Sequence, residues 1–183
     1  MTINSKILRD IFSYQIFFAT VLIVGMSNNA SAKNLVYENN WAYLADTVMG
    51  GVSQGGAEFS AGALRLTGQV STKNNGGFIQ VRTRVDPKQA VGKSGIKLKV
   101  KGNGDVYYLH VRNASARLPW QYYTASFKTS EKWKDISISF DEFEKSATLM
   151  PRKLKPDSIK TIGLVAYGKD HEADVSIANL EFY

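Results

Sequence analysis

The side chains able to do acid–base, nucleophilic or metal chemistry are few. Cysteine is absent and histidine occurs only at His110 and His171, which excludes thiolate nucleophiles, thiolate zinc sites and disulfides. Neither histidine stands in a nucleophile elbow, an HExxH helix or any spacing that gathers metal ligands. His110 falls inside a strand-like run and reads as a satisfied strand histidine; His171 reads as an exposed residue of a terminal hairpin. Asp141, Glu142 and Glu144 lie together in "FDEFEK", with Phe140 and Phe143 as anchors and the acids turned to water. A glycosidase carboxylate pair must instead flank a bond. "GGVSQGG" lacks the Lys-Ser/Thr ending of a phosphate loop. The expectation is a chain with no catalytic residue, no metal and no cofactor.

Binding chemistry is better represented. "ADTVMGGVSQGG", Ala45 to Gly56, follows Trp41 and crowds two glycine pairs around Asp46, Met49 and Ser53. Such glycines admit positive φ and close backbone approach, and Asp46 and Ser53 can bond the amides this frees. The segment reads as an ordered crossover whose Met49 plugs the sandwich edge, or as one wall of a partner site. Strand parity gives a second surface. Gln80, Arg82 and Arg84 share a face opposite Ile79, Val81 and Val85; Tyr108, His110 and Arg112 oppose Tyr107, Leu109 and Val111; Tyr122, Thr124 and Ser126 oppose Tyr123, Ala125 and Phe127. If these strands share a sheet, the face can stack a planar or sugar ring and hold an anion. A plain solvent face is the simpler account. The candidate binding residues are therefore Trp41, Asp46, Met49, Gly50, Gly51, Ser53, Asn75, Arg82, Arg112, Trp120 and Tyr122, with Trp41, Trp120 and Tyr122 as stacking rings.

The elements that must carry these residues alternate with period two. Ile96, Leu98 and Val100 alternate with Lys97, Lys99 and Lys101, and Ile136, Ile138 and Phe140 with Ser137 and Ser139. Further strands are expected over 63–70, 77–85, 106–112, 121–127, 158–167 and 174–183, with a short one in "NLVYE". About eight or nine strands suit an all-β jelly-roll sandwich of two antiparallel sheets. "NNGG" (74–77) and "KGNGD" (101–105) read as hairpin turns, 145–156 as a long surface loop, and 86–90 as the one tolerated helical turn.

Lys6 and Arg9 precede the apolar run "IFFATVLIVGM", which ends in Ala30-Ser31-Ala32. This is the pattern of a secretory signal peptide cut after Ala32, too short to span a bilayer. The chain has 23 basic and 16 acidic side chains, and loss of the leader leaves 21 and 15. The remainder, 33–183, has the size of one domain. Its basic balance favours acidic partners, while export removes it from nucleic acid.

Three segments, "DTVMGGVSQG" from Asp46, "LTGQVSTKNNGGFIQVRT" from Leu66 and "YYTASFKTSEKWKDISISFDEF" from Tyr122, resemble the complex I intermediate-associated protein 30 family. The closing "IKTIGLVAYGKDHEADVSIANLEF" is similar to that family's last strands. The resemblance implies a galactose-binding-like β-sandwich and a non-enzymatic assembly factor, with a protein or envelope complex as partner. A carbohydrate-binding module is the alternative, since such sandwiches often hold sugars at loop ends. Mass spectrometry of the exported protein is expected to place its first residue at Lys33; an intact Met1 would mean a membrane-anchored chain.

Overall fold

Strands that alternate apolar and polar side chains must bury one face, and here two sheets bury theirs against each other. A computed structural model describes residues 33–38 and 40–183; the expected leader, 1–32, lies outside the described residues. The strands are β1 (Ala42–Ala45), β2 (Gln54–Ser60), β3 (Ala63–Val70), β4 (Phe78–Arg84), β5 (Gly95–Gly102), β6 (Val106–Asn113), β7 (Tyr123–Lys128), β8 (Lys134–Ser139), β9 (Glu144–Lys145), β10 (Ile159–Tyr167) and β11 (His171–Phe182). One sheet has the order β1-β4-β10-β6-β7-β9 and the other β2-β3-β11-β5-β8. Every pairing is antiparallel, so the expected all-β jelly roll is the fold. Leu66, Ile79, Leu98, Leu109, Leu164 and Ile177 fill the space between the sheets and are essentially inaccessible. Each such side chain contributes about 1.5–3 kcal/mol by leaving water.

Several expectations need correction. "NLVYE" is not a strand: Leu35–Glu38 is one helical turn, α1. Leu35 and Val36 are consecutive and both buried, which one face of a strand cannot achieve. Asn34 fixes the turn by accepting from Val36 N and Leu180 N and donating to Ala178 O. "NNGG" and "KGNGD" are not hairpins either, because β3 to β4 and β5 to β6 each pass from one sheet to the other. His171 likewise opens a strand reached by a crossover, not by a hairpin. The β2–β3 hairpin turns instead on Ala61 (φ 49°) and Gly62 (φ 76°). Alanine is a poor signal for that turn. The 145–156 loop is superficial, but Met150 and Leu154 seal the core from it. The helical turn near 86–90 forms as a 3-10 turn, Pro87–Ala90, capped by Asp86.

One carboxylate ties together the sandwich edge where β1 pairs with β4 and β2 with β3. Asp46 is fully buried. Its Oδ1 accepts from Ser53 N at 3.0 Å, and its Oδ2 accepts from Ser53 Oγ at 2.5 Å, Gly77 N at 2.5 Å and Phe78 N at 3.2 Å. Ser53 Oγ accepts in turn from Ser71 N at 3.0 Å. Both crossovers at this edge, β1 to β2 and β3 to β4, are thereby fastened to the same side chain. The pairs Gly50-Gly51 and Gly76-Gly77 follow from it, whereas Gly55 and Gly56 lie in β2, where Gly55 abuts the β3 backbone. A Cβ on Gly51 or Gly76 would fall on the Asp46 carboxyl, whereas Gly50 (φ +87°) and Gly77 (φ +127°) adopt backbone that L side chains avoid. One glycine of each pair supplies space and the other the turn. Desolvation pushes the Asp46 pKa up, but the bonds from Gly77, Ser53 and Phe78 outweigh it, and the net shift is downward.

Asp46→Ala strands the amides of Ser53, Gly77 and Phe78 and is expected to cost about 3–5 kcal/mol in urea unfolding. Gly51→Ala and Gly76→Ala should each cost more than Gly50→Ala, whose strain is limited to about 1 kcal/mol because nothing stands near its Cβ. A folded-state pKa below the unfolded value of about 3.9 stabilises above that pH and is lost as pH falls through the folded pKa. The stability gap between the protein and Asp46→Asn should therefore narrow in that acid window; a pH-independent gap would contradict the assignment.

Candidate functional site

The outward face of the six-stranded sheet assembles in rows set by register. Arg84, Thr161 and Arg112 form one row across β4, β10 and β6; Arg82, Gly163 and His110 the next; Gln80, Val165 and Tyr108 the third. Thr124 and Ser126 on β7 extend the second and third rows beyond His110 and Tyr108. Parity thus places the expected residues in one sheet and on one face. However, β4 and β6 are not neighbours, and β10 lies between them. Its Gly163 and Val165 are buried although they point away from the core, so they lie at the bottom of a narrow groove between Gln80 and Arg82 on one side and Tyr108 and His110 on the other, with Gln80 leaning in until its Oε1 would stand 3.2 Å from a Cβ on Gly163.

At one end of the groove the rings of Tyr108, His110, Tyr122 and Tyr167 gather. His110 stacks on Tyr122 with centroids 4.0 Å apart and planes at 17°. Tyr167 meets Tyr108 edge-on at 5.2 Å and His110 at 5.8 Å. Burial lowers the His110 pKa to about 4, so the ring is neutral at physiological pH. Its Nε2, like Thr124 Oγ1, is buried without a hydrogen-bond partner among the described residues. This corrects the reading of His110 as a satisfied strand histidine: stacking, not a polar contact, holds it. Desolvation, then the nearby Tyr167, raises the Tyr122 pKa and keeps the phenol protonated.

At the other end an open cleft of about 690 Å³ is bordered by Arg82, Arg84, Arg112 and Lys160. Arg112 Nη2 donates to Ala116 O at 3.2 Å and Leu118 O at 3.0 Å, which anchors the guanidinium to the β6–β7 loop. Burial, then the charge of Arg82, lowers the Arg112 pKa.

The candidate residues divide into two groups. Asp46, Gly50, Gly51 and Ser53 build the edge just described, and Asn75 (φ 58°) belongs to its turn, where it is Asn74 that donates to Gly50 O. This group meets β4 at Phe78, six residues from Arg84 and about 20 Å from it along an extended strand. Met49 does not plug the edge: it is 66% exposed, because the buried residue of its 3-10 turn is Asp46. Trp41 is not a stacking ring on the face, since its Nε1 donates to Leu35 O and its ring packs on the core. Arg82, Arg112 and Tyr122 do come together, and Trp120 stands exposed in the β6–β7 loop next to Tyr122. Sequence reasoning missed Lys160, Thr161, Gly163 and Tyr167. The alternation of Thr161, Gly163 and Tyr167 with Ile162, Leu164 and Ala166 was readable, but their position between β4 and β6 was not; Lys160 shares the parity of the core residues and sits where β10 shifts register against β6.

Residues 30–177 match the family described as complex I intermediate-associated protein 30. No curated protein matches the sequence. Among solved structures, the chain is similar to the family 11 carbohydrate-binding module of the cellulosomal cellulase Lic26A-Cel5E of Clostridium thermocellum, at TM-score 0.67 and 15% identity over 82% of this chain and 93% of that one. A family 11 module from Clostridium thermocellum in complex with a β-1,3-1,4-mixed-linked tetrasaccharide gives TM-score 0.64 and 15% identity over 78% and 88%. The agarase AgWH50C gives 0.53 and 9% over 77% of this chain and 22% of its own. At these identities the likeness shows a shared jelly-roll fold.

The His110 imidazole is expected to titrate by NMR with a midpoint near pH 4. A histidine whose folded pKa lies below the unfolded value of about 6.5 stabilises above that value, and the contribution fades as pH falls toward the folded pKa. His110→Gln should therefore flatten the stability profile across that interval. A midpoint near the free-histidine value would mean that the ring is not buried in the stack.

Proposed function

The chain belongs to the complex I intermediate-associated protein 30 family, and from that membership together with the groove on its six-stranded sheet we propose a non-catalytic binding domain of the assembly-factor kind. The domain acts after export, in the periplasm, on a protein or envelope complex. The observation that carries this reading is the pairing of half-buried tyrosines with arginines on one exposed sheet face. Tyrosine and arginine combine area, polar tips and planar donors, and they dominate the energetics of protein interfaces. Their backbones lie in a sheet packed on the core, so little ordering entropy is lost when a partner docks. The side chains of the face supply no nucleophile paired with a base, which supports a binding role without chemistry.

A glycan ligand is the second reading. It is favoured by the contiguous rings of Tyr108, His110, Tyr122 and Tyr167 and by the exposed Trp120. Pyranose rings stack on such surfaces. Carbohydrate-binding modules are among the solved structures similar in fold.

Affinity capture from envelope extract, comparing the protein with Tyr122→Ala, separates the readings. A defined protein complex recovered by the former and lost with the latter supports the assembly role. Capture of the same complex by both would take the site off this face. A thermal shift with a neutral glycan, without any protein recovered, would install the second reading.

A further inference from the structure

We propose that the cleft formed by Arg82, Arg84, Arg112 and Lys160 is a receptor for an oxyanion group carrying two negative charges, such as a phosphate or a pair of adjacent carboxylates. The inference deepens the binding role of this face, naming the chemistry by which a partner enters it. Arg84 and Arg112 flank Thr161 in one row, and Arg82 lies across from Gly163 in the next, so three arginines border one cleft. Lys160 joins them from the start of β10.

The cleft lining carries, among the described residues, four cations and no carboxylate. Among the described residues, Arg82, Arg84 and Lys160 take part in no ion pair, and the acceptors of Arg112 are neutral carbonyls. Two acids on the neighbouring elements are otherwise placed. Asp86, two residues beyond Arg84, accepts from Lys88 N at 3.0 Å, and Glu144 sits on the far edge strand, beside Thr124.

By contrast, Arg65 on the other sheet pairs with Asp174 through two bonds of 2.9 Å, and Lys169 with Asp105 at 2.7 Å. Like charges held together without a counterion raise the free energy of the unliganded domain, and a divalent anion relieves that repulsion while accepting the planar donors of arginine in bidentate fashion. Lysine adds a point charge at the rim. The anchored Arg112 is the preorganised member, and the exposed Arg82 and Arg84 are free to close on the ligand.

The test is a thermal-shift and calorimetric titration of the purified protein with inorganic phosphate and with malonate, against sodium chloride at matched ionic strength. Both dianions are expected to stabilise the protein saturably, and chloride is not. Arg82→Gln/Arg84→Gln, which leaves Arg112 in place and alters exposed side chains, should lower the apparent affinity at least about tenfold. Lys93→Gln/Lys99→Gln removes the same charge elsewhere and should leave it unchanged. Equal responses to chloride and phosphate, or equal losses in both double variants, would overturn the proposal by reducing the effect to general screening. A saturable dianion response with no protein captured would uphold the cleft and remove the assembly role. Capture without a dianion response would do the reverse.

Discussion

The buried carboxylate of Asp46 is the constraint on which the rest of the architecture depends. A jelly roll needs its chain to leave one sheet and enter the other repeatedly, and each departure exposes amides that have lost their ladder partners. At the edge where β1 and β2 begin the fold, a single acceptor group collects three of those amides and the Ser53 hydroxyl. The cost of burying the charge is offset by this set of donors, and the lowered pKa of the group records which effect wins. With the two crossovers fastened, β1 can zip onto β4 and β2 onto β3, and the ends of both sheets are fixed in register.

That arrangement has a functional corollary. The glycine-rich stretch near Asp46, which invites comparison with a ligand loop, is occupied by its own carboxylate. Gly51 is small because Asp46 fills the space beside it, and Gly55 because the β3 backbone lies against it. The surface free to recognise something else lies on the outer side of β4, β10 and β6, where β10 runs between two strands of large polar side chains. Rings gather at one end and uncompensated arginines at the other, so the face offers two chemistries along one groove.

Much of this was legible from residues alone. Alternation located most strands to within about two or three residues, because a face that must be buried leaves a strict period in the sequence. The same parity put Arg82, Arg112 and Tyr122 on a common side. What could not be read was lateral order. Nothing local says that β10, seventy-five residues after β4, inserts between β4 and β6 and contributes Gly163, Thr161 and Tyr167 to the site. The turn "NNGG" was misjudged for a related reason: Asn74 and Asn75 do take positive φ (56° and 58°), but the bonds from Gly77 and Phe78 to Asp46 decide where the chain goes. Leu35 and Val36 likewise form a turn of helix because two neighbouring side chains must both reach the core.

The central claim is that recognition belongs to the sheet face and that the Asp46 edge is structural. Amide NMR mapping of the protein saturated with its captured ligand tests it most directly. The account predicts shifts concentrated at Gln80–Arg84, Tyr108–Arg112, Lys160–Val165 and the β6–β7 loop, with Thr47–Gly51 and Lys73–Asn75 unmoved. Perturbations confined to Thr47–Gly51 and Lys73–Asn75, with the groove silent, would contradict it.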